Sequence, residues 1–369
     1  MKTYTVKERA NVIYNTVVDI FNWNRVSDCV TPLDLVRKQF EGVSPQGKIC
    51  IPGAGIGTYV LVALENGFLP ENITAVEIDP MYYELGSGMF KLPFGVNYVH
   101  TDFLTWEPNM KFDVVIGNPP YQRPKHSEGN KNNQPLWLDF LEKSGNLLAP
   151  GGILSMLVPS QVAKSTRWNS PGKGFQALQW GNMLSIQTGL EKWFNVGTKI
   201  SLVTVTTGIQ GVLTVDGQEI DVSKRPWIPT KTNPEAFSIL DKISNQSNKL
   251  EFKLGLHHMD EKNSFGFWRL NQTFGFNPIM TSTRDKSILN RMWIGHNAKD
   301  TNQAEKLILL MKSKLFTAFR QLTFYEPNFA HLLLSGLTFP DVIPTTDSEV
   351  FDAYGLTQEE IIFIDSLTT

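Results

Sequence analysis

Short apolar runs alternate with amphipathic segments over roughly the first 210 residues. The apolar runs end in polar or glycine-rich positions, as buried strands do, and apolar residues recur between them at helical spacing. Residues 48–67 contain an expected strand, a glycine turn and a helix. Further strands are expected within 73–80, 95–103, 112–120, 153–160, 184–190 and 199–208. Alternating strands and helices of this kind predict a parallel sheet covered on both faces, and hence a doubly wound α/β fold.

Helical spacing is clearest in four segments outside the glycine turn. Residues 33–40 follow a Thr-Pro pair that is expected to cap and start the helix. Residues 135–152 form an amphipathic helix that closes at Pro-Gly-Gly. Residues 302–322 predict one long helix whose cations gather toward its carboxyl half, and 356–367 predict a short helix with an acidic first turn.

The character of the chain changes near residue 222. A proline-rich stretch at 224–234 is typical of a linker or crossover, and aromatic, basic and irregular segments follow it. A chain of 369 residues is long enough to bury two cores. We therefore expect an α/β domain at 1–222 and a mixed α+β domain at 223–369.

Charge divides the chain as well. The net charge is −2, which argues against indiscriminate binding of nucleic acid. Residues 222–320 nevertheless contain 16 basic and 8 acidic residues, and residues 321–369 contain 8 acidic residues and no Lys or Arg. This asymmetry indicates a polyanion-facing surface beside an acidic tail. The alternative is a set of solvated helix faces of either sign.

Composition favours a cytoplasmic protein. Cys29 and Cys50 are the two cysteines, too few for a disulfide framework or a thiolate metal cluster. No apolar run approaches the roughly 20 residues that cross a bilayer, so no membrane partner is expected. The amino terminus lacks the apolar centre of a secretory signal.

The glycine turn and the acid after the next strand indicate a nucleotide cofactor. Gly53, Gly55 and Gly57 permit a tight turn and the close approach of a ligand to the backbone. Glu77 lies about twenty residues further on, where a carboxylate can accept both hydroxyls of a ribose. A structural glycine turn and a solvated strand-end carboxylate are the alternatives. Together the two features favour a cofactor that contains adenosine.

Asp102 and Phe103 end the third strand and separate the chain from a typical nicotinamide binder. A carboxylate at this position can accept from the exocyclic amine of adenine while the phenylalanine packs on the ring. The alternative is a turn aspartate followed by a core phenylalanine.

The segment Asn118-Pro119-Pro120-Tyr121 follows the fourth strand. Two prolines fix the backbone, so the Asn118 side-chain oxygen and the Pro119 carbonyl are held as acceptors. Both can accept from the amino group of adenine, and they would stabilise the charge that develops as this poor nucleophile attacks a methyl group. Tyr121 offers a flat face for stacking of the base. A rigid structural loop is the alternative.

In these motifs and in their order, residues 25–210 resemble the gamma-class DNA adenine-N6 methyltransferases that use S-adenosylmethionine. The resemblance implies a Rossmann-like class I methyltransferase sheet followed by a DNA-recognition region. It implies a cofactor site formed by Thr31, Pro52, Gly53, Ala54, Gly55, Gly57, Glu77, Ile78, Asp102, Phe103 and Asn118. It implies that Asn118, Pro119, Pro120 and Tyr121 hold the target base and that Phe194 stacks on its other face.

The resemblance also implies a partner and a setting. Duplex DNA is the expected substrate, with the adenine flipped into the pocket, and the host is a bacterial or phage-infected cell. The loop at 122–134, Arg167 and Lys173 are expected to meet phosphates, and Asn, Gln and Arg side chains within 265–297 to read base edges. These features are compatible with a monomer. Enzymes of this kind are also compatible with a partner restriction nuclease.

One departure and several alternatives accompany this interpretation. The family often has an acid before the proline of the glycine loop, where this chain has Ile51. The same Asn-Pro-Pro-Tyr motif occurs in methyltransferases of RNA bases and of protein glutamine, and a DNA-binding subunit without catalysis is a further alternative. No metal is expected, because Asp241 with Glu251-Phe252-Lys253 lacks the context of a nuclease site and 257–261 lacks further ligands.

Overall fold

The computed structural model describes residues 5–21, 30–122, 135–164, 168, 170–178, 181–194, 196–208, 212–221, 227–268, 278–283, 293–323, 334 and 336–368. The chain divides into two compact units. The first comprises Met1–Val162 and Gln176–Ile220, and the second comprises Ala163–Phe175 and Asp221–Thr369. The segment 163–175 thus belongs with the second unit although strands of the first unit follow it.

Helices and strands alternate through the first unit. Its helices are α1 (Val6–Phe21), α2 (Leu33–Gln39), α3 (Thr58–Glu65), α4 (Pro80–Phe94) and α5 (Leu136–Leu147). A short helix, α6 (Lys173–Ala177), begins in the segment of the second unit and ends in the first. The strands of the unit are β1 (Ile49–Pro52), β2 (Ile73–Glu77), β3 (Asn97–His100), β4 (Phe112–Gly117), β5 (Leu148–Pro159), β6 (Asn182–Gln187), β7 (Ile200–Thr206), β8 (Thr214–Val215) and β9 (Gln218–Glu219).

All these strands form one sheet in the order β3-β2-β1-β4-β5-β7-β6-β8-β9. Strand β1 pairs in parallel with β2 and with β4, so Ile49 lies opposite both Ile73 and Val114. The strand order reverses between β1 and β4. In open α/β sheets, ligands bind beyond the carboxyl ends of the strands at such a reversal.

The α/β fold class is confirmed, with one difference in strand direction. Strands β1 to β5 are parallel as expected, but β7 is antiparallel to both β5 and β6. Each apolar run was compatible with either direction, because a strand buried on both faces reads the same way in parallel and antiparallel pairs. Strand β5 also begins at Leu148 and includes the Pro-Gly-Gly that was expected to close the preceding helix.

The core of the first unit explains why its segments are so apolar. Strand β1 is buried throughout, and in α3 every residue from Thr58 to Leu64 is buried. A helix that is apolar all round must be covered on all sides, and α1 and α2 both pack against α3. Truncating a buried residue such as Leu61 to alanine is expected to cost about 2–5 kcal/mol.

The second unit has its own core. Its helices are α7 (Pro234–Ile243), α8 (Thr301–Lys312), α9 (Lys314–Thr323), α10 (Asp347–Ala353) and α11 (Gln358–Thr368). Its strands are β10 (Asn248–Lys249), β11 (Lys253–Leu254), β12 (Ser264–Trp268), β13 (Ile279–Met280), β14 (Trp293–Asn297) and β15 (Thr338–Phe339). A four-stranded sheet has the order β11-β14-β12-β13, and β10 pairs with β15.

The expected single helix at 302–322 is two helices. Ser313 has an extended ψ of 161° and ends α8, and α9 begins at the next residue. Asp347 accepts a hydrogen bond of 2.8 Å from the Lys314 backbone nitrogen, so a residue distant in sequence satisfies the start of the new helix. A local pattern cannot show such a contact. No described helix is long and apolar enough to traverse a lipid bilayer.

Candidate functional site

The glycine loop and the Asn-Pro-Pro-Tyr segment are neighbours at the reversal of strand order. The loop follows β1 and the segment follows β4. A Cβ added at Gly53 would lie 3.8 Å from Cδ of Pro120, and one added at Gly117 would lie 3.1 Å from the carbonyl oxygen of Pro52. The two motifs that were predicted to hold the cofactor and the target base therefore line the same edge of the sheet.

Each glycine of the loop has a positive φ, and the three differ in their surroundings. Gly57, with φ of 92°, precedes α3, and a Cβ there would come within 2.5 Å of the Phe90 ring. Gly55, with φ of 55°, has nothing within 4 Å of an added Cβ. The backbone at Gly55 therefore faces open space, which is the close approach that a bound cofactor requires.

Glu77 lies against this loop. The carboxylate is buried, and its two oxygens accept hydrogen bonds from the backbone nitrogens of Gly55 at 2.7 Å and Asp79 at 2.8 Å. An ionised carboxylate has about four acceptor positions, so two are left for ribose hydroxyls. The Tyr98 hydroxyl donates to the Gly55 carbonyl at 2.9 Å. Burial, together with the nearby Glu77 charge, raises the pKa of Tyr98 well above its usual value and keeps the hydroxyl protonated.

The other residues expected at the cofactor lie around the same strand ends. Pro52 and Ala54 are buried. The Ala54 nitrogen donates to the carbonyl oxygen of Val76 in β2, and this bond holds the loop to that strand. Ile78 is 61% exposed. An exposed isoleucine next to a buried glutamate is suited to contact a flat ring.

Asp102 and Phe103 show features of both hypotheses, a contact with the cofactor's adenine and a turn aspartate followed by a core phenylalanine. An Asp102 carboxylate oxygen accepts from the Leu104 nitrogen at 2.9 Å, which is a turn interaction, but the residue is half-exposed. Phe103 is buried and stacks on Phe140, with ring centroids 5.2 Å apart. Phe103 is thus a core residue, as the alternative hypothesis has it. Asp102 retains acceptor positions that face solvent.

The Asn118 amide is held on one side only. Its Nδ2 donates to Thr31 Oγ1 at 3.1 Å across 87 positions of sequence. Its Oδ1 is buried and accepts no hydrogen bond from the described residues. A buried acceptor without a partner costs about 1–3 kcal/mol, and an amino group that reached it would recover this free energy.

Thr31 does not cap α2 as expected. The residue at the cap position is Pro32, without a side-chain hydrogen bond, and the Thr31 hydroxyl instead accepts a hydrogen bond from Asn118 Nδ2. The reason is tertiary, because β4 brings an amide to the hydroxyl that a local cap would have used.

Two further buried polar residues, Gln39 and Tyr59, lie beside the end of β4, and no motif in the sequence indicated either of them. The buried Tyr59 hydroxyl donates to Gln39 Oε1 at 2.9 Å. Gln39 Nε2 donates to the carbonyl oxygens of Gly117 at 3.3 Å and Ser155 at 2.8 Å. Burial raises the pKa of Tyr59 far above its usual value, so its hydroxyl stays protonated. A glutamine and a tyrosine on the apolar faces of two helices were the available hint.

Tyr121 and Phe194 pack on the same small cluster. Both are half-buried and contact the buried group formed by Leu35, Leu157, Leu190, Ile200 and Leu202. Between the motif's ends, Pro119 is buried and Pro120 is exposed. The two aromatic residues predicted for opposite faces of the base therefore belong to one region of the unit.

Several residues expected to contact DNA lie outside the described residues. These are Arg167, the loop from 123 to 134, and most of the segment 265–297. Lys173 is described and exposed at the start of α6. Asn297 is described, but its amide bonds to the Asp260 nitrogen and the His258 carbonyl, which indicates a structural role.

The acidic tail covers part of the basic region within the second unit. Lys242 of α7 pairs with Glu360 of α11 at 2.6 Å, and Lys314 of α9 pairs with Asp365 at 2.6 Å. Within the parts of the chain that the structure describes, no group of three or more metal-ligating side chains is assembled. Asp241 lies in α7.

Strand order defines the class of the first unit. The order 3-2-1-4-5-7-6, with an antiparallel β7, is that of the class I S-adenosylmethionine-dependent methyltransferases. The open backbone at Gly55, the remaining acceptor positions of Glu77 and the exposed Ile78 fit this co-substrate. The first unit therefore has the fold of these methyltransferases.

Comparisons with known proteins relate the chain to the methylases of restriction–modification systems. Residues 90–171 match the model of the Eco57I restriction-modification methylase family. The type II methyltransferase M.CvrRI of Paramecium bursaria Chlorella virus XZ-6E is 33% identical over 143 residues, which cover 37% of this chain and 36% of that protein.

Similarity extends to enzymes of RNA. The tRNA1(Val) (adenine(37)-N6)-methyltransferase of Glaesserella parasuis serovar 5 (strain SH0165) is 24% identical over 139 residues, which cover 35% of this chain and 58% of that protein. The chain thus matches less than two thirds of the length of either relative. A type I restriction-modification methyltransferase subunit from Streptococcus thermophilus superposes with a TM-score of 0.41 and 18% identity, covering 53% of this chain and 48% of that one.

Proposed function

We propose that the chain is a site-specific DNA methyltransferase that transfers the methyl group of S-adenosylmethionine to N6 of an adenine flipped out of duplex DNA. The observation that carries this proposal is the Asn118 amide. Its nitrogen is bonded to Thr31 while its oxygen is buried and accepts no hydrogen bond among the described residues. The site therefore offers an acceptor where an amino group would bind.

The chemistry requires such an acceptor. The lone pair of the adenine amino group is delocalised into the ring, so attack on a methyl group needs the nitrogen to become tetrahedral and positively charged. Asn118 Oδ1 and the Pro119 carbonyl, held by the two prolines, would stabilise that charge as it develops. Tyr121 and Phe194 would hold the ring, and the proton is lost after the methyl group has arrived.

The glycine loop would hold the co-substrate. S-adenosylmethionine supplies an electrophilic methyl group when it is bound. Glu77 would accept from the ribose hydroxyls, Ile78 and Phe103 would contact the adenine ring, and Asp102 would accept from its amino group. Gly53, Gly55 and Gly57 would let the backbone approach.

The second unit supports DNA as the substrate. We propose that residues 223–369 recognise the DNA sequence and that residues 1–222 contain the catalytic site. The basic character of 222–320 fits a polyanion, since phosphate contacts dominate the affinity of proteins for DNA. Similarity to type II methyltransferases points the same way.

A second candidate is methylation of adenine in RNA. It is favoured by similarity to tRNA (adenine-N6) methyltransferases over about the same share of the chain, 35% against 37%. The geometry at Asn118 would serve an adenine from either polymer, so the acceptor must be found by experiment.

Transfer of a tritiated methyl group tests the proposal. Wild-type protein is incubated with labelled S-adenosylmethionine and, in parallel, with duplex DNA, tRNA, ribosomal RNA and protein. We expect label in DNA, as N6-methyladenine. Asn118→Ala should lose this activity by at least about 100-fold, as when one preorganised polar contact to a transition state is removed. Asn66→Ala, which removes an exposed amide that bonds within its own helix, is the matched control. Label in tRNA and none in DNA would overturn the choice of substrate.

A further inference from the structure

We propose that Tyr98 is a positioning residue of the cofactor site, whose hydroxyl fixes the Gly55 peptide in the conformation that presents the glycine loop to S-adenosylmethionine. The inference rests on the proposed function, in which this loop holds the co-substrate. Tyr98 lies in β3, at the edge of the sheet, and was not expected in the site. It is 1% exposed, so it can act on a bound ligand only through the residues that cover it.

Gly55 must be held because it is a glycine. Without a Cβ it populates many backbone conformations, and its φ of 55° is one among them. A loop that samples these conformations has to be ordered when a ligand binds, and this ordering weakens binding. A contact that fixes the loop beforehand therefore strengthens binding without touching the ligand.

Two side chains fix the Gly55 backbone, one on each side of its Cα. The Glu77 carboxylate accepts from the Gly55 nitrogen at 2.7 Å, and the Tyr98 hydroxyl donates to the Gly55 carbonyl oxygen at 2.9 Å. These bonds hold the peptide units before and after Gly55, so together they restrain both φ and ψ. Glu77 would also hold the ribose, whereas the role that we assign to Tyr98 is confined to the loop.

The direction of the Tyr98 bond is fixed by the chemistry of its two groups. A backbone carbonyl only accepts, so the hydroxyl must donate its one hydrogen to Gly55. Burial and the nearby Glu77 charge raise the pKa of Tyr98 well above its usual value, so this hydrogen is present at neutral pH. Because the side chain is buried, water cannot readily replace it as the donor.

Gly86 leaves the space that the Tyr98 ring occupies. It lies in α4, which packs against β3, and a Cβ added there would come within 2.2 Å of the Tyr98 hydroxyl oxygen and 2.4 Å of Cζ. A glycine inside a helix is destabilising relative to alanine, and the phenol explains why one is present here. On the side of the loop, a Cβ added at Gly57 would lie 3.4 Å from the same oxygen. The hydroxyl is therefore enclosed between α4 and the loop.

Tyr98→Phe removes the hydroxyl and keeps the ring. We expect the Kd for S-adenosylmethionine, measured by calorimetry, to rise about tenfold, as the loss of one buried hydrogen bond implies. Tyr14→Phe is the matched control, because it removes a buried hydroxyl that bonds to the Thr58 side chain at 2.7 Å and not to the loop backbone. It should bind the co-substrate as the wild type does. In methyl transfer, Tyr98→Phe should raise the KM for S-adenosylmethionine about tenfold and change kcat by less than about twofold.

A second pair of variants tests the same contact from α4. Gly86→Ala places a methyl group against the phenol and should displace the hydroxyl from Gly55, so we expect a Kd about tenfold higher. Gly88→Ala, at an exposed position of the same helix with nothing within 4 Å of an added Cβ, should bind normally. Combined with Tyr98→Phe, Gly86→Ala should weaken binding much less than it does alone, because the bond that it breaks is already absent. Additive effects on Kd would overturn the inference.

Amide hydrogen exchange without co-substrate separates the inference from the proposed function. The Gly55 amide bonds to Glu77, and we expect it to exchange about tenfold faster in Tyr98→Phe than in the wild type or Tyr14→Phe, while the amides of β1 keep their protection. A wild-type protein that bound no S-adenosylmethionine would overturn the proposed function and leave this measurement intact. Equal exchange at Gly55 in the two tyrosine variants, or an equal Kd, would refute the positioning role. If Gly86→Ala fails to fold, these two variants alone decide.

Discussion

A methyl group added at Gly55 should separate cofactor binding from folding. Gly55 has φ of 55° and nothing within 4 Å of an added Cβ. In Gly55→Ala, alanine must adopt a left-handed backbone conformation, which destabilises the folded state by about 1 kcal/mol, but the added methyl group causes no steric clash. The methyl group would, however, occupy the space in which we place the co-substrate, and we expect S-adenosylmethionine to bind at least about tenfold more weakly.

Gly42→Ala is the control for the backbone effect. Gly42 also has a positive φ, 78°, with nothing within 4 Å of an added Cβ, and it follows α2, outside the loop. Both variants should lose about 1 kcal/mol, which lowers the melting temperature by about 2–4 °C in a domain of this size. The Gly42 variant should bind the co-substrate as the wild type does.

Thermal melting with and without S-adenosylmethionine measures the difference, and calorimetry gives Kd directly. At about 100 times the wild-type Kd, binding stabilises the wild type and Gly42→Ala by about 2.7 kcal/mol, whereas a tenfold weaker variant gains about 1.4 kcal/mol. If Gly55→Ala gained as much as Gly42→Ala, the backbone at Gly55 would not contact the co-substrate, and the cofactor site would have to lie elsewhere.

Two further variants test the electrostatics of each unit. Glu77→Gln places an amide nitrogen opposite one of the two backbone N–H groups that donate to the carboxylate in the wild type. Equilibrium dialysis should therefore show at least about tenfold weaker binding of S-adenosylmethionine, whereas the variant at an exposed position, Glu71→Gln, should bind it normally. Equal affinities of the two variants would contradict the role of Glu77. Lys242→Met should destabilise the second unit by about 3 kcal/mol at pH 7 in denaturant titrations, because it leaves the buried Glu360 carboxylate unpaired. Burial alone would raise the pKa of Glu360, but hydrogen bonds, led by the one from Lys242, hold it below its ordinary value of 4.5. The ion pair therefore stabilises the wild type above pH 4.5, and this stabilisation is lost as the pH falls through the lower pKa of the folded state. The deficit of the variant should shrink in the same range, and a deficit independent of pH would contradict this account.

Elements whose character is decided locally could be predicted from the sequence. Strand β4 is an apolar run that ends in a polar segment, and α2 has helical spacing over Leu33–Gln39. The positions of the glycine loop, of Glu77 and of Asn118 at strand ends followed from the same alternation. Helix α4 was not predicted, because its glycines and Pro93 disfavour a helix, and its packing against β3 overrides them.

Contacts between distant segments could not be predicted. Thr31 was expected to cap a helix and to contact the co-substrate, and nothing near it in sequence indicates Asn118, 87 positions away. The break at Ser313 depends on Asp347, and the direction of β7 depends on its neighbours in the sheet. Gln39 and Tyr59 are ordinary residues of α2 and α3 until the fold brings β4 and β5 beside them.

In the proposed function, Asn118 presents an acceptor to the amino group of a DNA adenine. This role can be tested by sequencing modified bases in genomic DNA from cells that express the wild type or Asn118→Ala at equal levels. We expect N6-methyladenine within one short sequence motif for the wild type and none for the variant. Methylated adenine at the same motif and to the same extent in both would contradict it.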